Sequence, residues 1–173
     1  MNRSHQRWTI RGALFRFLYR LNRLRLRITR PLTVGVRLIL LRENPATGID
    51  CVLLVRHTYH DGWLLPGGKV ERGETLEEAA RREAQEELDA RLGPLRLQGV
   101  YTNFFEYKSD HVAVFLCRSF DLPDDRRITG RAAREIEEWN FFPLNALPAD
   151  LLPGHRRRLE ALYEKDSPGF GKW

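Results

Sequence analysis

The sequence predicts an α/β protein, a mixed sheet with helices packed on it. Three observations lead there. Apolar, strand-like runs separated by turn signals recur irregularly from Thr33 to Phe142. A single glutamate-rich helix interrupts them at residues 75–88. The chain has 173 residues, no repeat and no interdomain linker, enough for one domain with a core of its own. We divide it into a basic amphipathic helix over 1–30, a globular domain over 31–166 and a loose tail over 167–173.

The first segment carries Ile10, Leu14, Phe17, Leu21, Leu24 and Ile28, a 4-3-4-3-4 spacing that puts all six on one helical stripe. Arg16, Arg20, Arg23 and Arg27 lie on another side, and Pro31 stops the helix at or before Arg30. From Thr33 the pattern becomes β-branched and apolar. Thr33–Arg42 and Cys51–Arg56 read as a hairpin closed by Asn44-Pro45-Ala46-Thr47-Gly48. A short strand at Trp63–Leu65 leads into Pro66-Gly67-Gly68. Leu95–Asn103 and His111–Phe120 read as two strands, Glu138–Phe142 as a last one, and Pro153–Glu164 as a C-terminal helix. Ser167–Trp173 is glycine-rich and is expected to be loose.

Composition removes several function classes. No run of eighteen apolar residues occurs, so no membrane-spanning helix is predicted, and a cytoplasmic location is expected. The two cysteines, Cys51 and Cys117, sit in apolar strand-like runs and are expected to be buried and reduced; two cannot build a disulfide framework or a zinc site. The net charge of +6 is uneven. Residues 1–42 hold eleven arginines and no acid, which leaves −5 for residues 43–173. A basic amphipathic N-terminus admits a membrane or nucleic-acid contact. Packing on the domain or on a partner in a homodimer is the preferred expectation.

The chemistry is concentrated in Gly68–Ala90, GKVERGETLEEAARREAQEELDA. Gly67 and Gly68 permit a loop whose backbone approaches a ligand closely. Thr75 and Glu78 form a capping box, so a helix starts after Thr75. Glu83 and Glu87 share a face of that helix with Leu76 and Ala80, and Glu86 lies beside them. Three carboxylates drawn against the protein repel one another, and a divalent cation offsets that cost. Oxygen-only ligands select a hard ion, and magnesium suits phosphate chemistry, with Mn²⁺ as a substitute. Arg82, four residues before Glu86, can pair with it. Glu77, Glu78, Arg81 and Gln85 fit an ordinary solvated helix face.

This segment resembles the Nudix box, G-x5-E-x7-R-E-U-x-E-E-x-G-U, through Gly68, Glu74, Arg82, Glu83, Ala84, Glu86, Glu87 and Ala90. Trp63-Leu64-Leu65-Pro66-Gly67-Gly68 is similar to the family's approach to the box. One position departs: Asp89 stands where the family has a glycine that ends the helix in a left-handed conformation. Asp tolerates that conformation better than most residues.

The resemblance implies a Nudix-type α/β/α sandwich. It also implies Mg²⁺-dependent hydrolysis of a phosphoanhydride in a nucleoside diphosphate linked to another group: a nucleotide sugar, a dinucleoside polyphosphate or a nucleoside triphosphate. The partner it implies is thus a nucleotide small molecule. Glu83, Glu86 and Glu87 would hold the metal, with a backbone carbonyl of Gly67 or Gly68. Glu74 would support the loop and helix, and Arg82 would orient a glutamate. The general base would be Glu86, Glu87 or a carboxylate outside the box, Glu106 or Asp110. Tyr101–Tyr107 is aromatic and polar enough to stack a base or sugar, and Tyr107 resembles the tyrosine placement of diadenosine polyphosphate hydrolases. His57 and His60 could reach phosphate, and His111 is expected to be structural. The alternative is a Nudix-fold module that binds nucleotide without turnover.

Overall fold

The computed structural model describes residues 32–59, 61–105, 108–123, 135–163 and 168–173. The N-terminal stripe at 8–28, His60, Glu106 and Tyr107 lie outside the described residues. In chain order the elements are β1 (Leu32–Glu43), β2 (Asp50–His57), β3 (Trp63–Leu64), α1 (Leu76–Leu88), β4 (Arg91–Leu92), β5 (Arg96–Phe105), β6 (Lys108–Cys117), β7 (Phe120–Asp121), β8 (Ile136–Pro143), α2 (Pro153–Glu160) and β9 (Gly169–Lys172). A short 3-10 turn, Ala161–Tyr163, continues α2.

The main sheet is mixed, with strand order β3-β2-β1-β6-β5-β9 and β8 paired to β2. The predicted hairpin exists but is short. β1 pairs with β2 only at Leu41–Glu43, around a turn in which Gly48 takes φ 67°. Leu32–Leu40 instead run parallel to β6, from Ser109 to Cys117. The other edge of β1 is occupied by the loop after β3: Val36 N–H donates to Gly68 O and Leu38 N–H to Pro66 O, both at 2.9 Å. That loop therefore lies in the sheet, where β2 has diverged from β1.

Alternation along β1 builds two cores. Val36, Leu38 and Leu40 pack with Leu53, Val55, Ala113, Phe115 and Cys117 under Ala79, Ala80, Ala84 and Leu88 of α1. Ile39 and Leu41 pack with Val52, Leu54, Trp63, Leu65, Val114 and Leu116 against Leu151, Leu159 and Leu162 from the α2 side. Helical elements on both faces of one sheet form the expected sandwich.

Two expectations need correction. The tail is not loose: Gly169–Lys172 forms β9, parallel to β5, and Trp173 N–H donates to Thr102 O at 2.9 Å. Glycine serves close approach here, since a Cβ on Gly99 would collide with the carbonyl of Gly169. The Trp173 ring then packs edge-on against His155, with centroids 5.0 Å apart. In addition, Cys117 is buried but Cys51 only partly so; both are free thiols.

Candidate active site

The site is built where the Pro66–Val70 loop meets α1. The helix starts where the sequence places it: the Thr75 side chain accepts from Glu78 N–H, and Glu78 accepts from Thr75 N–H at 2.8 Å. It ends at Asp89 in the left-handed conformation, φ 53°, and the Asp89 N–H donates to the Ala84 and Gln85 carbonyls. The departure from glycine is thus accommodated. These caps fix which face of α1 meets the loop.

Glu87 lies deepest, 6% exposed. Its Oε2 accepts the Gly67 N–H at 2.7 Å, and its Oε1 stands 3.5 Å from His57 Nε2. Burial pushes the Glu87 carboxyl up to about 8, opposed by the Gly67 hydrogen bond and the nearby Arg37 charge. Burial also raises Glu83, opposed by Arg82. Gly67 reaches this geometry with φ 125°, where a side chain would be strained and its Cβ would strike the Val36 carbonyl. A Cβ on Gly68 would fall on the Glu83 carboxylate. Gly68→Ala is therefore expected to displace Glu83. The check is the magnesium concentration for half-maximal response, which should rise while the far-UV circular dichroism stays unchanged.

Arg82 gathers the remaining carboxylates. Its Nε and a terminal nitrogen bind both oxygens of Glu74 at 2.6 and 3.1 Å. The other terminal nitrogen reaches Glu83 at 2.9 Å and Glu86 at 3.3 Å. Arg82 also donates to the Lys69 carbonyl at 2.9 Å, which ties the loop to the helix. The Arg82 bond holds the Glu74 carboxyl below its usual range. The predicted pair with Glu86 is present, but Glu74 is the stronger partner. We expect Arg82→Ala to raise the magnesium requirement about 10–100-fold, the usual cost of losing a group that orients ligands. An unchanged requirement would show that Arg82 is only a surface ion-pair residue.

Residues outside the box converge on the same place. His57, a candidate to reach phosphate, is buried at the end of β2, edge-on to Tyr59 with centroids 4.9 Å apart. Asp110, the described member of the two outer candidate bases, is partly buried on β6 beside Thr33 and Asn103, and its charge acts on Arg37. His111, expected to be structural, stands 3.2 Å from the Thr102 hydroxyl.

Sequence reasoning missed three residues. Arg37 donates to the Gly67 carbonyl and feels the charges of Glu87, Glu83 and Asp110; burial lowers its pKa. Glu135, directly before β8, accepts the Thr58 N–H through its backbone carbonyl at 2.9 Å, and its charge raises Glu87 further. His155 at the start of α2 is buried and accepts the Leu65 N–H at 3.0 Å, which anchors the chain entering Pro66-Gly67. The cue for Arg37 was a lone charge inside the apolar run Val36–Leu41; for Glu135 it was an acid at the mouth of a strand.

Oxygen atoms dominate this donor set. Glu74, Glu83 and Glu86 surround Arg82; Glu83, Glu87 and Asp110 act on Arg37; and Glu135 acts on Glu87, so acids outnumber these two cations. As placed, no three acidic, histidine or cysteine side chains among the described residues stand close enough to coordinate one ion, because Glu83 and Glu86 turn to Arg82. The donor chemistry still fits a hard divalent cation: Glu87 is a buried carboxylate that no arginine or lysine pairs with directly among the described contacts, and Glu83 and Glu86 hold one terminal nitrogen between them.

The NUDIX domain family model matches residues 31–162. Among solved structures, the chain is similar to a MutT NUDIX hydrolase from Burkholderia pseudomallei at 26% identity, covering 75% of this chain and 97% of that one, with a TM-score of 0.63. A NUDIX hydrolase from Nitrosomonas europaea is similar at 23% identity, over 82% of this chain and 78% of that one, with a TM-score of 0.58. A UDP-X diphosphatase shares the fold at 20% identity, over 82% and 68% of the two chains, with a TM-score of 0.54.

Proposed function

This chain belongs to the Nudix family and is a Nudix hydrolase; from that premise we propose that it cleaves, with magnesium, a phosphoanhydride bond in a nucleoside diphosphate linked to another group. Hydrolysis of pyrophosphate linkages and use of divalent metals are general in the family. The observation that carries the finer reading is the buried Glu87, hydrogen-bonded to the Gly67 backbone and set beside Glu83 and Glu86 on α1. In this reading Glu83, Glu86 and Glu87 hold the ion, with a carbonyl of Gly67 or Gly68.

Bound there, magnesium supplies a water of lowered pKa and charge neutralisation on the phosphate oxygens. The protein does the rest. The Gly67 N–H fixes Oε2 of Glu87, so its carboxylate is oriented before substrate arrives. Arg82 holds Glu83 and Glu86 on one terminal nitrogen, and both would turn from it to meet the ion. Arg37 anchors the Gly67 carbonyl and places positive charge near Glu87, Glu83 and Asp110. Asp110 or Glu135 is suited to accept the proton of the attacking water, because each lies outside the proposed ligand set and its charge reaches Arg37 or Glu87.

A panel of nucleotide sugars, dinucleoside polyphosphates and nucleoside triphosphates, assayed with magnesium and with chelator, tests the proposal. One class should be cut at an anhydride bond with magnesium alone. Absence of magnesium-dependent anhydride cleavage across all three would overturn it. On the substrate found, Glu135→Gln is expected to lower kcat and leave KM within a few-fold. An unchanged kcat would assign the proton to Asp110 or to a carboxylate of the box.

A further inference from the structure

Among the described residues, nothing covers one face of the sheet beyond the reach of α1. In β1, Leu32, Val34 and Val36 share a side. Val36 is buried in the α1 core, but Leu32 is 69% exposed and Val34 37%. The register carries that side across the strands. Leu32 stands beside Ser109, and Ser109 beside Phe104; Val36 stands beside Ala113, then Val100, then Phe170. Phe104 is 69% exposed and Phe170 89%. Leu32, Val34, Val100, Phe104 and Phe170 thus lie on one side of β1, β6, β5 and β9, in apolar rows with a more polar row between them. Val34, His111, Thr102 and Lys172 make up the row between. Two phenylalanines and a leucine left in water on one face mark a contact surface.

We propose that residues 8–28 of the same chain occupy this surface. Their apolar residues, Ile10, Leu14, Phe17, Leu21, Leu24 and Ile28, recur at helical spacing and need an apolar partner. As a helix, Ile10 to Ile28 would span about 27 Å. The surface is roughly 14 Å across the four strands and roughly 13 Å along them, so its diagonal of roughly 19 Å takes about two thirds of that helix. The chain leaves the sheet at Leu32, itself part of the surface, and only residues 29–31 separate it from the stripe. So short a tether sets an effective concentration in the millimolar range, which favours this segment over a second copy or a lipid surface. The surface rows carry no acid, so Arg16, Arg20, Arg23 and Arg27 face solvent rather than pair across the contact.

Trypsin tests this on the full chain, because the arginines of residues 1–30 are its targets. Phe104→Asp with Phe170→Asp alters exposed side chains and leaves both cores untouched. Cleavage within residues 1–30 should accelerate about tenfold in that double variant, since proteolysis follows the released population. Leu14→Asp with Leu21→Asp should accelerate it equally, and all four together should add little more, as expected of one shared contact. Three results would each overturn the proposal. One is an unchanged cleavage rate in both pairs. Another is a wild-type dimer that the phenylalanine pair dissociates, which would seat a second copy on the surface. The third is a segment cut as fast as a free peptide until anionic vesicles protect it, which would make lipid the occupant.

Discussion

Glu87→Gln is expected to leave the fold intact and to lower turnover by at least about 10–100-fold, the usual cost of disturbing a metal site. The amide oxygen can still accept the Gly67 N–H that Glu87 accepts at 2.7 Å, so the loop keeps its anchor. What is lost is the charge, and a neutral amide is a poor ligand for magnesium. The buried carboxylate destabilises the metal-free fold when ionised, as its rise to about 8 shows. The variant should therefore melt at or above the wild-type temperature at pH 8 without metal. A stable, inactive variant separates a chemical role from a structural one. Turnover within a few-fold of wild type would remove Glu87 from the chemistry.

The wild-type protein without metal is expected to lose stability as pH rises through the interval from 4.5 to about 8. The sign follows from linkage. The folded carboxyl holds its proton to higher pH than the unfolded one, so the folded state binds more protons inside that window. Raising the pH then favours unfolding. Glu83, also raised by burial, acts in the same direction. Magnesium should reverse the trend at the upper end, because it binds the ionised carboxylates of the folded state only. At a hundredfold excess over its dissociation constant this stabilises by about 2.7 kcal/mol, or roughly 5–10 °C for a chain of this size. Sodium chloride at equal ionic strength should not. Subtracting the Glu87→Gln profile isolates the contribution of this residue. Equal responses to both salts, or a difference profile flat between pH 5 and 8, would contradict a specific metal site at Glu87.

Local signals carried most of the site. The capping box at Thr75 and Glu78, the common face of Glu83 and Glu87, and the left-handed stop at Asp89 each depend on residues a turn or two apart, and each stands where the spacing puts it. The hairpin was legible at its turn and not along its length, because the loop at Gly67–Gly68 displaces β2 from the rest of β1. Pairing of β1 with β6 joins residues more than seventy positions apart, and nothing in the local pattern of either strand specifies its partner. The tail misled for a related reason. Gly169 reads as freedom when the chain is considered alone, yet opposite Gly99 the missing side chains permit a close strand contact. Arg37, Glu135 and His155 reach the site only through this long-range topology. Periodicity put Arg37 in a strand interior and His155 at a helix start, and left Glu135 outside the strand expected from Glu138, with no sign that they converge.

The measurement closest to the central claim is the number of divalent ions the folded protein binds, and where. Free Mn²⁺ can be counted through its electron paramagnetic resonance signal as protein is added, with Mg²⁺ as competitor. The wild-type chain should remove at least one Mn²⁺ per molecule from solution and release it to excess Mg²⁺. The triple variant Glu83→Gln, Glu86→Gln, Glu87→Gln, folded by circular dichroism, should leave the free signal undiminished. A triple variant that binds Mn²⁺ as wild type does would place the metal elsewhere and contradict the account.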